Sequence, residues 1–212
     1  MAVRLWCREE GTPNLYLHGA AHSGKSHLLQ AAAGELAENG RWVVYVPLDQ
    51  VGLAPAMLDD LERLDAVLID AVEAIAGRRD WEEALFHLYN RLQARGRRLL
   101  VAARPPAAKL PLSLADLRSR LSAAPAYALT PLDDAGRTHL LRYGAEQRGL
   151  RLGDDIIGYV LSRCPRDPGW LLDFLERLDR ATLAEKRAPT VRFVGKLLDT
   201  LAADSDGSTD SA

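Results

Sequence analysis

The chain has 212 residues, with 27 basic and 29 acidic side chains and a formal net charge of -2. A hydrophobic content of 48% is typical of a folded globular protein and excludes a disordered chain, while the near-neutral charge excludes an overall basic, nucleic-acid-binding surface. No apolar run is long enough for a membrane helix, and two distant cysteines, Cys7 and Cys164, favour a reducing, cytoplasmic location.

The first part of the chain alternates between predicted strands and helices. Each strand is a short apolar or β-branched run, and each helix carries apolar residues three or four positions apart. The predicted strands are Leu15–Leu17, Trp42–Val46, Ala66–Ile69, Leu99–Val101 and Tyr127–Leu129. The predicted helices between them are Lys25–Glu38, Met57–Leu64, Asp80–Ala94 and Ser113–Arg120. Strands that are apolar on both faces and separated by helices indicate an α/β fold, with a five-stranded parallel sheet covered on two sides.

Beyond Pro131 the sequence carries only helical periodicity. The predicted helices are Asp134–Glu146, Asp154–Arg163, Trp170–Leu183 and Val191–Leu201. This pattern predicts a small all-α domain over residues 132–202, after an α/β core over residues 1–131. The Ser-, Asp- and Gly-rich residues 203–212 predict a disordered tail.

A segment between the first strand and the first helix matches the phosphate-loop pattern G-x-x-x-x-G-K-[ST]. It consists of Gly19, Ala20, Ala21, His22, Ser23, Gly24, Lys25 and Ser26, and His27 follows in the helix. Glycines let backbone N–H groups point at a phosphate, and the helix N-terminus adds partial positive charge. We expect Lys25 to bridge the β- and γ-phosphates and the Ser26 hydroxyl to bind Mg²⁺. The loop predicts a binding site for ADP or ATP with magnesium.

Asp70 ends the third predicted strand and is the expected second magnesium group, holding the ion through water opposite Ser26. An ATPase usually needs another acid beside this aspartate to orient the attacking water, but position 71 is alanine. Glu73 is only a weak substitute. Fast autonomous hydrolysis is therefore not expected.

Five segments, in this order, resemble the AAA+ module of the bacterial replication initiator DnaA. They are Leu15–Gly19 with the phosphate loop, Leu68–Gly77, Leu88–Arg91, Arg104–Pro106 and Leu117–Leu121. Because no further domain follows the helices, the chain looks closer to Hda, the short DnaA homologues that inactivate the initiator. The resemblance spans residues 10–202 and implies an AAA+ P-loop NTPase core followed by a small all-α lid domain.

The resemblance also assigns roles to single residues. Arg120 falls on the arginine finger, which reaches the γ-phosphate of a nucleotide bound by a neighbouring subunit. The polar sensor at the end of the fourth strand, Val101–Arg104, is replaced by alanine. Gly169 stands where a second sensor arginine is usual, and Arg166 is the nearby substitute. These losses predict a site that holds a diphosphate as well as a triphosphate and hydrolyses slowly.

The family therefore implies a regulator that binds an adenine nucleotide, ADP, and stimulates ATP hydrolysis by DnaA through Arg120, preventing re-initiation. The alternative is an autonomous AAA+ ATPase or a helicase-loader-like protein that uses Asp70 and Glu73. Steady-state turnover of the purified protein separates the two hypotheses.

Four other kinds of partner are considered: the sliding clamp, a second copy of the chain, a membrane and DNA. The sliding clamp of the DNA polymerase is implied by kinship alone, because no glutamine lies in a clamp-binding peptide. A homo-oligomer stays open, and no membrane partner is expected. Direct DNA binding is expected to be weak or absent, because the chain ends after the lid and the basic cluster Arg95, Arg97 and Arg98 is interpreted as a solvated helix end.

Overall fold

The computed structural model describes residues 2–8, 12–165 and 167–206. These residues divide into two compact units, one ending at Pro131 and the other beginning at Leu132. The strands of the first unit are β1 (Asn14–His18), β2 (Val43–Pro47), β3 (Ala66–Asp70), β4 (Arg98–Ala103) and β5 (Ala126–Ala128). Its α-helices are α1 (Ala2–Cys7), α2 (Lys25–Glu38), α3 (Arg79–Ala94) and α4 (Ala115–Ala123).

The strands form one parallel sheet in the order β2-β3-β4-β1-β5. The register aligns Asn14 with Leu99 across β1 and β4, and Pro47 with Asp70 across β2 and β3. Every residue of β3 is buried, as expected for a central strand covered on both faces. The carboxyl ends of the strands share one edge, which is where open α/β sheets bind ligands. The parallel sheet predicted from the sequence is confirmed.

Each face of the sheet has its own hydrophobic core, because successive residues of a strand point to opposite faces. One core joins Leu15 and Leu17 of β1 to Leu29 of α2 and Trp6 of α1. The other core joins the alternate strand residues to α3 and α4, and its members include Tyr16, Val67, Ile69, Val101, Leu85, Leu88, Leu117 and Leu121. The central strands β3, β4 and β1 are thus buried between two layers of helices, while the edge strand β5 is exposed.

One predicted helix of the first unit is wrong, and one helix of the structure was not predicted. The helix predicted over Met57–Leu64 is replaced by two short 3₁₀-helices, Pro55–Leu58 and Leu61–Arg63. Asp60 lies between them at φ 63°, in the left-handed region, which an α-helix cannot accommodate. Helix α1 was not predicted, because six residues are too few to carry a clear helical period.

The second unit is a small helical domain, and its four predicted helices are confirmed. They are α5 (Asp134–Glu146), α6 (Asp154–Arg163), α7 (Pro168–Glu185) and α8 (Val191–Asp206). The side chains of Asp133 and Asp167 cap α5 and α7 by accepting from the N–H groups of Gly136 and Gly169. The apolar faces meet in a core that includes Leu141, Ile157, Val160, Leu171, Phe174, Leu178 and Val194.

The last helix also corrects one expectation. The sequence predicts a disordered tail from residue 203, but α8 is helical as far as Asp206. No glycine or proline interrupts the chain between Leu197 and Asp206, so nothing in the sequence stops the helix earlier. Residues 207–212 of the predicted tail lie outside the described residues. Across the described ranges, no helix combines the length and the hydropathy that crossing a membrane requires.

Candidate functional site

The predicted phosphate loop connects the end of β1 to the start of α2. Gly24 is the N-cap residue of α2 at φ 85°, a left-handed conformation that glycine adopts without strain, and no side chain caps the helix there. The first turn of α2 contains Lys25, Ser26 and His27, whose N–H groups lack partners inside the helix. His22 also has a positive φ, of 59°. The loop therefore presents a helix N-terminus and a curled backbone, the arrangement that binds phosphate.

Gly19 is the residue at which the loop packs most closely on the sheet. Its N–H donates to the carbonyl oxygen of Arg104, at 3.1 Å, just beyond β4. On the other side, a Cβ atom at this position would lie 2.2 Å from the carbonyl oxygen of Leu129, which follows β5. Only glycine fits between these two backbone segments. The close approach fixes the start of the loop at the carboxyl edge of the sheet.

The Lys25 ammonium group is held inside the loop by three acceptors. Its Nζ donates to the carbonyl oxygens of Gly19 and Ala20, at 2.8 and 2.7 Å, and to the Ser23 hydroxyl at 3.3 Å. Burial lowers the pKa of Lys25, and the negative charges of Glu73 and Asp70 partly oppose that shift. The three N–H donors of the ammonium are thus satisfied within the protein. The same donors could instead bind the oxygens of a phosphate.

Asp70 lies buried at the end of β3, next to the phosphate loop. One carboxylate oxygen accepts from the Tyr45 hydroxyl at 2.9 Å, and the other accepts from the N–H of Ala71 at 2.8 Å. Burial and the negative charge of Asp70 raise the pKa of Tyr45. Ser26 and Asp70 carry the hydroxyl and carboxylate oxygens that Mg²⁺ prefers.

Glu73 and Arg104 form an ion pair near the same edge. The Arg104 guanidinium approaches the Glu73 carboxylate at 3.2 Å, and the Arg104 N–H donates to its second oxygen at 3.1 Å. Ala71 occupies the position after Asp70, at φ 55°, and carries no acid. Ala103, the last residue of β4, is fully buried and carries no polar group. Glu73 is therefore the next acid after Asp70 in the sequence, and its carboxylate is paired with Arg104.

Arg120 is exposed near the end of α4. Its guanidinium lies 5.8 Å from the centre of the Tyr89 ring and donates to the Gln93 side chain at 3.1 Å, so it rests on the surface of α3. Arg118, two residues earlier, is half-buried and donates to the carbonyl oxygen of Leu112 at 2.9 Å. The two arginines therefore differ: Arg118 binds the backbone of the loop before α4, while Arg120 is exposed and lies on the surface of α3.

A buried carboxylate fixes the beginning of α4. Glu82 of α3 is fully buried and accepts from the N–H groups of Ser113 and Leu114, at 3.1 and 2.7 Å. It also accepts from the N–H of Gly77 at 2.7 Å. Leu114 is the N-cap residue of α4, so Glu82 anchors the helix that carries Arg120.

Sequence reasoning did not single out Tyr45 or Glu82, and it used Arg104 only as part of the family resemblance. A tyrosine in a buried strand and an acid inside an amphipathic helix are the signals that could have indicated them, since both need a polar partner when buried. Gly169 lies buried in the first turn of α7, and Arg166 is outside the described residues. In the Arg95 cluster, Arg97 pairs with Asp65 and Arg98 donates to the carbonyl oxygen of Trp6, so both act within the first unit.

Solved structures share this fold at low sequence identity. Domain III of the replication initiation protein DnaA from Thermotoga maritima matches with a TM-score of 0.71 at 20% identity, covering 94% of this chain and 89% of that one. AMPPCP-bound DnaA from Aquifex aeolicus matches with a TM-score of 0.66 at 22% identity, covering 84% of this chain. A RuvB variant from Thermotoga maritima matches with a TM-score of 0.61 at 19% identity, covering 94% and 66% of the two chains. This chain spans only 59% of the Aquifex aeolicus DnaA.

Two family models divide the chain between them. Residues 6–128 match the model for the bacterial DnaA ATPase domain, and residues 134–198 match the model for the lid domain of Hda. The first match alone spans more than half of the 212 residues. The chain belongs to the DnaA-related AAA+ family, and its lid places it close to Hda.

Proposed function

We propose that this protein is an Hda-like regulator of replication initiation. It binds an adenine nucleotide, ADP, and stimulates ATP hydrolysis by DnaA through Arg120, which prevents re-initiation. The proposal rests on which functional residues the first unit keeps and which it lacks. The phosphate-binding residues and an exposed Arg120 are present, while alanine replaces the groups that would act on the protein's own γ-phosphate.

The nucleotide is proposed on the chemistry of the loop. The uncapped start of α2 and the Lys25 ammonium suit the β-phosphate, and the relative from Aquifex aeolicus was solved with AMPPCP bound. Ser26 and Asp70 would hold Mg²⁺, which when bound neutralises phosphate charge. When phosphate enters, the Nζ of Lys25 exchanges its contacts with Gly19 and Ala20 for phosphate oxygens.

A preference for ADP follows from what the site lacks. Ala71 supplies no base for a water, and Ala103 supplies no donor toward a γ-phosphate. In the lid, Gly169 likewise supplies no guanidinium. With Lys25 as the one described side chain expected to reach the γ-phosphate, a triphosphate gains little over a diphosphate, and the transition state for hydrolysis gains little extra stabilisation.

The output is assigned to Arg120 because its guanidinium is exposed and permanently charged. An arginine supplied by another subunit stabilises the charge that develops on the transferred phosphoryl group. Its contacts with Tyr89 and Gln93 are surface contacts that a partner can replace. DnaA is the proposed partner, and the sliding clamp enters the proposal only through kinship.

The proposal is tested by adding the protein to DnaA that carries labelled ATP, in the presence of clamp-loaded DNA. We expect DnaA to convert its ATP to ADP faster with the protein than without it. An unchanged rate would contradict the proposed function.

An autonomous ATPase is the second candidate, and one observation favours it. Glu73 accepts from the N–H of Arg104, whose carbonyl oxygen accepts from the N–H of Gly19, so a carboxylate lies close to the start of the phosphate loop. Steady-state turnover of the purified protein separates the two candidates. Vigorous hydrolysis that the substitution Glu73→Gln abolishes would support the ATPase, whereas slow hydrolysis that Glu73→Gln leaves unchanged supports the regulator.

A further inference from the structure

Two adjoining hollows on the lid surface are lined by cationic side chains. One lies between the end of α7 and the start of α8, and the other lies between the end of α7 and the loop after α5. Arg187 lines both hollows, so they form one continuous surface. Its cationic residues are Arg148, Arg151, Lys186, Arg187, Arg192 and Lys196. We call this surface the basic end of the lid.

The basic end of the lid has a charge opposite to that of the whole chain. Only two acids, Asp179 and Glu185, line the hollows beside the six cations, which leaves a surplus of four positive charges. The chain as a whole carries a net charge of -2. Positive charge is therefore concentrated here, where it creates a local attractive field for anions.

Most of these cations have no partner among the described residues. In the part of the chain that the structure describes, the side chains of Arg151, Lys186, Arg187, Arg192 and Lys196 form no hydrogen bond and no ion pair. Two exposed arginines elsewhere in the lid are paired: Arg142 with Asp154, and Arg180 with Glu176. Asp179 and Glu185 offset only part of the mutual repulsion among the cations, and a bound anion would offset the rest.

The turn that carries two of these cations is itself unusual. Lys186 ends α7 at φ 51°, the left-handed position at which helices favour glycine. A lysine there costs about 1 kcal/mol of backbone strain. The Thr190 hydroxyl accepts from the N–H of Phe193, so α8 begins directly beside Arg187 and Arg192 and adds its positive end to the surface.

We propose that the basic end of the lid binds the phosphodiester backbone of duplex DNA, independently of sequence. The inference goes beyond the proposed function, because it requires neither a nucleotide nor DnaA. An extended polyanion suits unpaired cations that are spread over two hollows, whereas a single phosphate would engage only some of them. Duplex DNA presents about one charge per 1.7 Å of its axis, the densest regular array of phosphates that such a surface meets.

The lining of the hollows favours the duplex over single strands. Phe193 is the aromatic residue among their described lining residues, and it is half-buried and packs against the core of the lid. Single-stranded nucleic acid is usually held by stacking of bases on exposed aromatic rings. With a single, half-buried ring among six cations, contacts with the phosphate backbone dominate, and these carry no sequence information.

The test is the fluorescence anisotropy of a short labelled duplex titrated with the full chain at several salt concentrations. The triple variant Arg187→Gln, Arg192→Gln, Lys196→Gln removes three of the cations. The control variant Arg63→Gln, Arg79→Gln, Arg163→Gln removes the same charge from exposed arginines outside the hollows. Thermal unfolding establishes that both variants are folded.

We expect the wild-type protein to bind duplexes of unrelated sequence with similar affinity. The logarithm of its binding constant should fall with the logarithm of salt concentration with a slope of about -4, for about four or five phosphates neutralised. The triple variant should bind at least about tenfold more weakly and reduce the slope by about 3, while the control variant stays close to wild type.

Four results would overturn the proposal. They are no binding to the duplex, equal losses in the two variants, tighter binding to the single strand of the same sequence, and tighter binding to polyglutamate or to phosphatidylglycerol vesicles than to the duplex. None of them bears on ATP hydrolysis by DnaA, so a failure here is distinguishable from a failure of the proposed regulation.

Discussion

Two kinds of group stabilise the charge of Lys25: carbonyl oxygens in direct contact and carboxylates farther away. The loop carbonyls of Gly19 and Ala20 bind it directly, and Asp70 and Glu73 act on it through space. The phosphate loop could be predicted from the sequence because its residues are consecutive and the motif has a fixed spacing. The contact between Tyr45 and Asp70 could not, because it depends on the register of β2 on β3.

The substitution Lys25→Ala tests the loop at this scale. It removes the ammonium that is proposed to bind the β-phosphate, so we expect ADP affinity to fall by about 2 kcal/mol, or roughly 30-fold. Fluorescence titration with a labelled ADP measures the change, and Lys109→Ala, at an exposed lysine outside the loop, is the matched control. Equal affinity for ADP in Lys25→Ala and wild type would remove Lys25 from the site.

At the scale of elements, α4 is held by contacts distant in sequence. Glu82 lies about thirty positions before Ser113 and Leu114, whose N–H groups it binds. Helical periodicity predicts α3 and α4 separately, because each period is local, but it cannot reveal the buried carboxylate that joins them. The 3₁₀-helices that replace the predicted Met57–Leu64 helix show the same limit, since apolar spacing does not report a left-handed residue such as Asp60.

The anchoring of α4 predicts a large effect for Glu82→Ala. Three backbone N–H groups would lose a charged acceptor inside the protein, so we expect the free energy of unfolding to fall by about 3 kcal/mol or more. The neighbouring substitution Glu83→Ala removes only an exposed pair with Arg79 and should cost less than about 0.5 kcal/mol. Urea unfolding measures both values. Equal losses would show that Glu82 does not anchor α4.

The short helix α1 gives a second prediction at this scale. Trp6 is buried, donates to the carbonyl oxygen of Pro13 at 2.8 Å, and lies beneath the guanidinium of Arg98. We expect Trp6→Ala to lower the free energy of unfolding by about 3–5 kcal/mol. Trp42 is 73% exposed, so Trp42→Ala should change it by less than about 0.5 kcal/mol. A small effect of Trp6→Ala in urea unfolding would mean that α1 does not stabilise the first unit.

At the scale of the whole molecule, the net charge of -2 is an average over surfaces of opposite sign. The sequence predicted a near-neutral surface with little affinity for DNA, a prediction that rests partly on the sum of the charges. The sum cannot show that Lys186 and Arg187 come close to Arg148 and Arg151, because these residues belong to different loops. The two-unit organisation was predictable, since the periodicity changes near Pro131.

The proposed regulator acts on a nucleotide held by another molecule. The most direct test is a single-turnover measurement of DnaA carrying labelled ATP, with wild-type protein, Arg120→Ala, or the exposed control Arg79→Ala, each with clamp-loaded DNA. We expect wild type and Arg79→Ala to accelerate hydrolysis equally. With Arg120→Ala, the rate should fall to that of DnaA alone, while the variant still binds labelled ADP. Acceleration that persists with Arg120→Ala would contradict the account.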